Sequence, residues 1–159
     1  MVSALMAQNV KTIPSVEIRT LEGIPFNTSQ IDNDGKPIII AFWHLYCKPC
    51  IKELNNIAEV YDEWQAETGV KLYAVSVDNA KSQHQVMPFV RANNWPFEIL
   101  SDPNYDFLHA MNRQFVPFTC IVNGEGEVVW SHESYHEGDE EYEYEIIKKL
   151  AAGEEIEEE

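Results

Sequence analysis

Positive charge is scarce in this chain. Eleven Lys and Arg stand against 27 Asp and Glu in 159 residues, a formal net charge of −16. A surface of that sign repels the phosphates of nucleic acid and anionic membranes, and leaves a basic partner compatible. There is no apolar run approaching the roughly 18 residues that a membrane-crossing helix needs, so no stable membrane insertion is expected. No internal repeat is present, and no low-complexity segment apart from the acidic end. From Glu137 onward 11 acids face 2 lysines, so nine of the 16 negative charges lie there, as expected of a solvated helix face and a frayed tail. Cysteine is also sparse. Three cysteines are an odd number, which excludes a disulfide scaffold and leaves one close pair and one single thiol. With no second Cys-X-X-Cys and no His pair at ligand spacing, a four-ligand zinc site lacks its ligands, and no metal is expected.

What the chain does have is a core. Hydrophobic residues make up 45% of it, and its length suits one domain rather than two. Residues 1–15 read as an N-terminal extension or the remnant of a secretory signal, 16–152 as the domain, and 153–159 as an acidic, disordered tail. Residues 1–8 lack the basic region and full apolar stretch of a complete signal.

The stretch from Phe42 to Cys50 organises the rest. Before it, Ile38-Ile39-Ile40-Ala41-Phe42-Trp43 is continuously apolar, as expected of a strand buried on both faces of a parallel sheet. After it, Ile51, Leu54, Ile57, Tyr61 and Trp64 recur at intervals of three and four, which predicts a helix to about Glu67. The strand-to-helix junction falls at Cys47. Pro49 suits a first helical turn, where its missing N–H removes a donor that has no intrahelical partner. Cys47 and Cys50 then lie three residues apart on one helical face, near enough to close a disulfide. Free N–H groups and the positive end of the helix dipole favour the thiolate of Cys47, and Lys48 adds positive charge. Cys50, pointing inward, is placed to resolve a mixed disulfide on Cys47. Cys120, in Phe118-Thr119-Cys120-Ile121-Val122, reads as a small buried hydrophobe.

Around this centre the pattern predicts an N-terminal hairpin over 16–27, with Pro25 on an edge, and a second buried strand over 70–78 after Gly69 ends the helix. A helix over 80–93 is expected to be kinked or divided by Pro88. A short strand at 97–100 and a helix over 104–112 follow. The strand at 118–123 turns through Asn123-Gly124-Glu125-Gly126 into an antiparallel neighbour, and a final helix over 139–152 is expected to bury Tyr142, Ile146, Ile147 and Leu150. Strands alternating with helices, then a hairpin and a helix, make an α/β sandwich with a mixed central sheet.

With Trp43-His44-Leu45-Tyr46-Cys47-Lys48-Pro49-Cys50, Val116-Pro117-Phe118-Thr119 and Gly126-Glu127-Val128-Val129 in that order, the chain resembles the thioredoxin fold. Ile51-Lys52-Glu53 and the helix-strand segment inserted between Asp78 and Asp102 are similar to the exported TlpA/ResA-type thiol-disulfide oxidoreductases. The resemblance implies that Cys47 attacks, that Cys50 resolves and that Pro117 is cis, leaving the Val116 backbone open to an extended substrate segment. It implies that Trp43 shapes the rim of a substrate surface shared with Lys48, Pro49, Val116 and Pro117, although a core aromatic is an equal reading of Trp43. Ala41 stands where thioredoxin itself has a buried aspartate. The resemblance offers Glu53 as the replacement acid or base, against the alternative of an exposed first-turn carboxylate. It further implies a reductant of protein disulfides in the periplasm or cell envelope, with the cytoplasm as alternative. An upstream electron donor, a link to cytochrome c maturation, no cofactor beyond the redox-active disulfide, and a monomer complete what it implies.

Three other readings compete. A thiol peroxidase of the peroxiredoxin kind carries proline, then threonine or serine, seven and three residues before its reactive cysteine, where this chain has Ile40 and His44. A copper carrier of this fold has three residues between its cysteines, not two; here it would use Cys47, Cys50 and His132 or His136. An interaction domain would leave the pair idle.

Overall fold

The computed structural model describes residues 10–156. Seven strands form one mixed sheet: β1 (Glu17–Thr20), β2 (Pro25–Asn27), β3 (Ile38–Trp43), β4 (Lys71–Ser76), β5 (Glu98–Ser101), β6 (Phe118–Val122) and β7 (Val128–His132). Their spatial order is β2-β1-β5-β4-β3-β6-β7. The three central strands β5, β4 and β3 are parallel, and β1, β6 and β7 join antiparallel to their neighbours. The N-terminal hairpin and the inserted strand β5 are both present, and Pro25 lies on the outermost strand, where no ladder needs its missing N–H.

The continuous apolar run of β3 is explained by the two layers it separates. Ile39, Ala41 and Trp43 face the side covered by α1 (Lys48–Thr68), α2 (Val86–Ala92) and α4 (Asp139–Ala151). Ile38, Ile40 and Phe42 face the side where α3 (Asp106–Ala110) contributes Phe107 and Leu108. Each fully buried side chain of this kind contributes roughly 1.5–3 kcal/mol. Helix α1 ends at Gly69 in the left-handed conformation, φ 72°, as a C-cap requires of a residue without Cβ.

Three helical regions differ from expectation. Residues 80–93 are not one helix: a 3-10 turn at Gln83–Gln85 precedes α2, and Pro88 falls in the first turn of α2, where it breaks no helical bond and causes no kink. Helix α4 presents a different residue to the core. Tyr142 is exposed, whereas Glu143, Ile146 and Ile147 are buried. Helix α3 is shorter than expected, and the Asp102 carboxylate accepts from the N–H groups of Phe107 and Leu108 at 3.1 and 3.0 Å.

Residues 10–15 run beside β7, with an isolated bridge from Thr12 to Glu127. The expected signal remnant at 1–8 lies outside the described residues, as does the end of the acidic tail; within that tail, Ile156 packs against the core.

Candidate functional site

The site is built where β3 runs out. The carbonyl of His44, the first residue after the strand, accepts from Cys47 N–H at 3.1 Å, and the Asp78 carboxylate, buried beyond β4, accepts from Leu45 N–H at 3.2 Å. Asp78 also accepts from the hydroxyls of Ser76 and Ser82, so the loop entering the helix is held from the neighbouring strand's end. Cys47 is the N-cap of α1, and its sulfur accepts from Cys50 N–H at 3.3 Å. The two cysteines form a disulfide, with Cα atoms 5.3 Å apart. Cys47 is 7% exposed and Cys50 1%, so the first sulfur is the one a partner can reach. Lys48 and Pro49 are exposed beside it.

The pairing of Phe42 with Phe118 brings the start of β6 to the same end of the sheet. The Val116–Pro117 peptide is cis, and both residues are half-buried. Two exposed aromatics flank the cysteine and proline segments, Tyr46 (74%) and Phe115 (79%). Sequence reasoning passed over both; the available signal was a large apolar ring next to each motif in a polar loop. Trp43 differs from the rim expected of it. It is fully buried, packed against Phe89 and Trp95 with ring centroids 5.8 and 4.8 Å away, and so belongs to the core beneath the site.

Glu53 supplies a buried carboxyl to the site. One turn after Cys50 on the same face of α1, it is 3% exposed, not the exposed first-turn carboxylate of the alternative reading. Thr119, paired with Ala41 across the sheet, donates its hydroxyl to Glu53 Oε1 at 2.7 Å. Burial pushes Glu53 up to about 7, with the Thr119 and Glu143 hydrogen bonds opposing and Asp139 and Glu140 adding to the rise. Burial likewise raises Glu143 well above its ordinary range, and raises the Cys120 thiol to about 12, keeping that sulfur inert.

These carboxyls make stability depend on pH. Between about pH 4.5 and pH 7 the native state holds protons on Glu53 and Glu143 that the unfolded chain has released, so stability falls as pH rises through that window. Urea midpoints at about pH 5 and pH 7 should differ in that direction. The double variant Glu53→Gln, Glu143→Gln should show a smaller difference; an equal one would mean that neither group titrates abnormally.

The ligand atoms of His132, His136 and Asp139 lie within 4.8 Å of one another, which corrects the reading that no His pair reaches ligand spacing. His132 and His136 straddle a strand end and a loop, so their approach depends on the fold. Asp139 already accepts from His136 N–H at 2.8 Å and lies 3.4 Å from His132 Nε2, which accounts for the cluster without a metal. Among the described residues no such cluster includes Cys47 or Cys50, so the copper ligand set is not brought together. A cleft of about 250 Å³ between Lys36 and Gly126 lies at the opposite end of β3 from the cysteines.

A mixed sheet of this topology, with a reachable sulfur at a helix N-cap, an enclosed one a turn later and a cis-proline opposite, defines a thioredoxin-like thiol-disulfide oxidoreductase. The AhpC/TSA family model matches residues 10–131, and the chain belongs to that family. It is 30% identical over 118 residues to sporulation thiol-disulfide oxidoreductase A of Bacillus subtilis, covering 73% of this chain and 69% of that one. Over 118 residues it is also 30% identical to the thiol-disulfide oxidoreductase ResA of Halalkalibacterium halodurans, covering 74% of this chain but 58% of the relative's length. A solution structure of a thioredoxin-like protein from Porphyromonas gingivalis superposes with a TM-score of 0.79 at 40% identity, covering 91% of this chain and 95% of that one. The peroxidase reading is not favoured. Ile40 and His44 occupy its signature positions, and Ile40 is a fully buried strand residue.

Proposed function

We propose that this chain reduces protein disulfides, with Cys47 attacking and Cys50 resolving, in an exported compartment and as a monomer. The observation that carries the reading is the asymmetry of the pair: Cys47 is reachable at the N-terminus of α1 and Cys50 is enclosed beneath it. Helix N–H groups favour negative charge on the Cys47 sulfur, which makes it both the better thiolate and the better leaving group. The Val116–Pro117 segment, with Tyr46, Phe115, Lys48 and Pro49 around it, offers an extended substrate a backbone edge and an apolar border. No cofactor beyond the Cys47–Cys50 disulfide enters this chemistry, and an external dithiol must restore it. The resemblance to ResA-type proteins supports substrates of the Cys-X-X-Cys-His type, the haem-attachment motif of cytochromes c.

Cys50→Ser tests the assignment. Without the resolving thiol, the mixed disulfide with a disulfide-bonded Cys-X-X-Cys-His peptide should accumulate and survive non-reducing electrophoresis. No adduct, or an adduct on Cys50 in the reciprocal Cys47→Ser variant, would reverse or remove the roles. Direction follows from the reduction potential against glutathione: a value below about −220 mV agrees with a reductant, and one near −120 mV would make the protein an oxidant.

A further inference from the structure

Glu53 does not stand alone. From α4, Glu143 reaches the same buried space; it is 0% exposed, on the helix face it shares with Ile146 and Ile147, and its carboxyl meets that of Glu53. Neither Glu143 oxygen finds a donor in any other described side chain or backbone group. Among the described residues, the groups that act on this space include no compensating cation. Thr119 from β6 donates a hydroxyl to Glu53; Asp139 and Glu140 from the start of α4 add negative charge; Tyr135, in the preceding loop, is bonded to Asn56 and Glu140; and Lys52 turns outward to Glu137 at 3.3 Å. Two carboxylates in contact under these conditions cannot both be ionised, because like charges in a site of low dielectric repel strongly and neither is solvated. One carboxyl must hold a proton, and the deeper one, without other donors, is Glu143.

We propose that Glu143 is the positioning residue of Glu53: it stays neutral at physiological pH and donates its O–H to the Glu53 carboxylate. Glu53 is thereby held ionised but only weakly acidic beside Cys50. This rests on the exchange reading of the cysteine pair. In the resolving step the Cys50 thiol passes its proton to the Glu53 carboxylate, and the Cys50 thiolate attacks the Cys47 sulfur of the mixed disulfide. The Cys47–Cys50 bond forms as the bond from Cys47 to the substrate sulfur breaks. The electron pair leaves on that sulfur, which takes a proton from water, so the substrate is reduced and the pair oxidised. When an external dithiol reduces the pair again, Glu53 returns its proton to the departing Cys50 sulfur. A raised proton affinity at Glu53, centred at about 7, serves both directions.

The experiment follows the second release of thionitrobenzoate after the reduced protein reacts with Ellman's disulfide, since that release is the attack of Cys50 on Cys47. In the wild type its rate should rise with pH about a midpoint near 7. Glu143→Leu removes the donor to the Glu53 carboxylate. It should move the midpoint up by about one pH unit and slow the step about tenfold at pH 6. Glu143→Gln keeps an N–H donor and should leave the midpoint in place. An unchanged midpoint in Glu143→Leu overturns the proposal, as does a downward shift in Glu143→Gln, which would mean that Glu143 acts as a charge. If Glu143→Leu does not fold, infrared spectroscopy decides: a protonated-carboxyl band present in the wild type at pH 8 should vanish in Glu143→Gln. Absence of that band in the wild type overturns the assignment. Should the wild type show no second release at any pH, the exchange reading itself fails, and the infrared band still decides the state of Glu143.

Discussion

Replacing Cys47 with serine should lower disulfide-reducing turnover to background, a fall of more than about 1000-fold. Serine cannot form the mixed disulfide on which every later step depends, and its hydroxyl is not ionised by a helix N-terminus at neutral pH. The loss should appear in the reduction of a protein disulfide with a small dithiol as the electron source. Folding should be little affected relative to the reduced wild type, because serine is close to cysteine in size and its hydroxyl oxygen can take over the N-cap bond from Cys50 N–H. Cys50→Ser should give the opposite signature, a trapped adduct with no turnover. Retained turnover in Cys47→Ser would move the chemistry to another group and undo the proposed function.

The second large effect concerns stability. Trp43→Ala should destabilise the protein by about 3–5 kcal/mol, read as a lowered urea midpoint with an unchanged slope. The ring is fully buried between β3 and the helices and packs edge-on against Trp95 and tilted against Phe89. Its Nε1–H is buried with no acceptor among the described residues, a state that costs about 1–3 kcal/mol, so Trp43→Phe loses less: the smaller ring leaves a gap but removes that donor. A Trp43→Ala variant of undiminished stability but weakened substrate binding would restore the tryptophan to the rim.

Trp43 shows how the two levels of description divide. Its position four residues before Cys47 is plain in the sequence, and so is the strand that carries it. Whether the ring turns out to the rim or in to the core depends on the helix lying over that face, and α1 with Phe89 and Trp95 covers it. Helix α4 gives the same lesson. Ile146 and Ile147 fit a buried face that includes either Tyr142 or Glu143, and hydrophobicity favours the tyrosine. The face chosen is the one opposite Glu53, where a carboxyl finds a hydrogen-bonding partner and an aromatic ring does not. His132 and His136 likewise meet only because a strand end and a loop fold back on α4.

The elements themselves were written locally. The apolar run of β3, the three-and-four spacing of α1, the Cys47-X-Pro49-Cys50 start of that helix, the hairpins and Gly69 as its stop all follow from backbone preferences and periodicity, which act between near neighbours in the chain. From these alone come the fold class, the redox pair and the junction that activates it. The tertiary structure decided which side chains share a dry space, Glu53 with Thr119 and Glu143 and Trp43 with Phe89 and Trp95, and which stand exposed beside the cysteine and cis-proline segments, Tyr46 and Phe115. Proton affinity and burial are set by groups brought together from distant positions, and the energy of a carboxyl depends on the dielectric and the charges around it rather than on its neighbours in sequence.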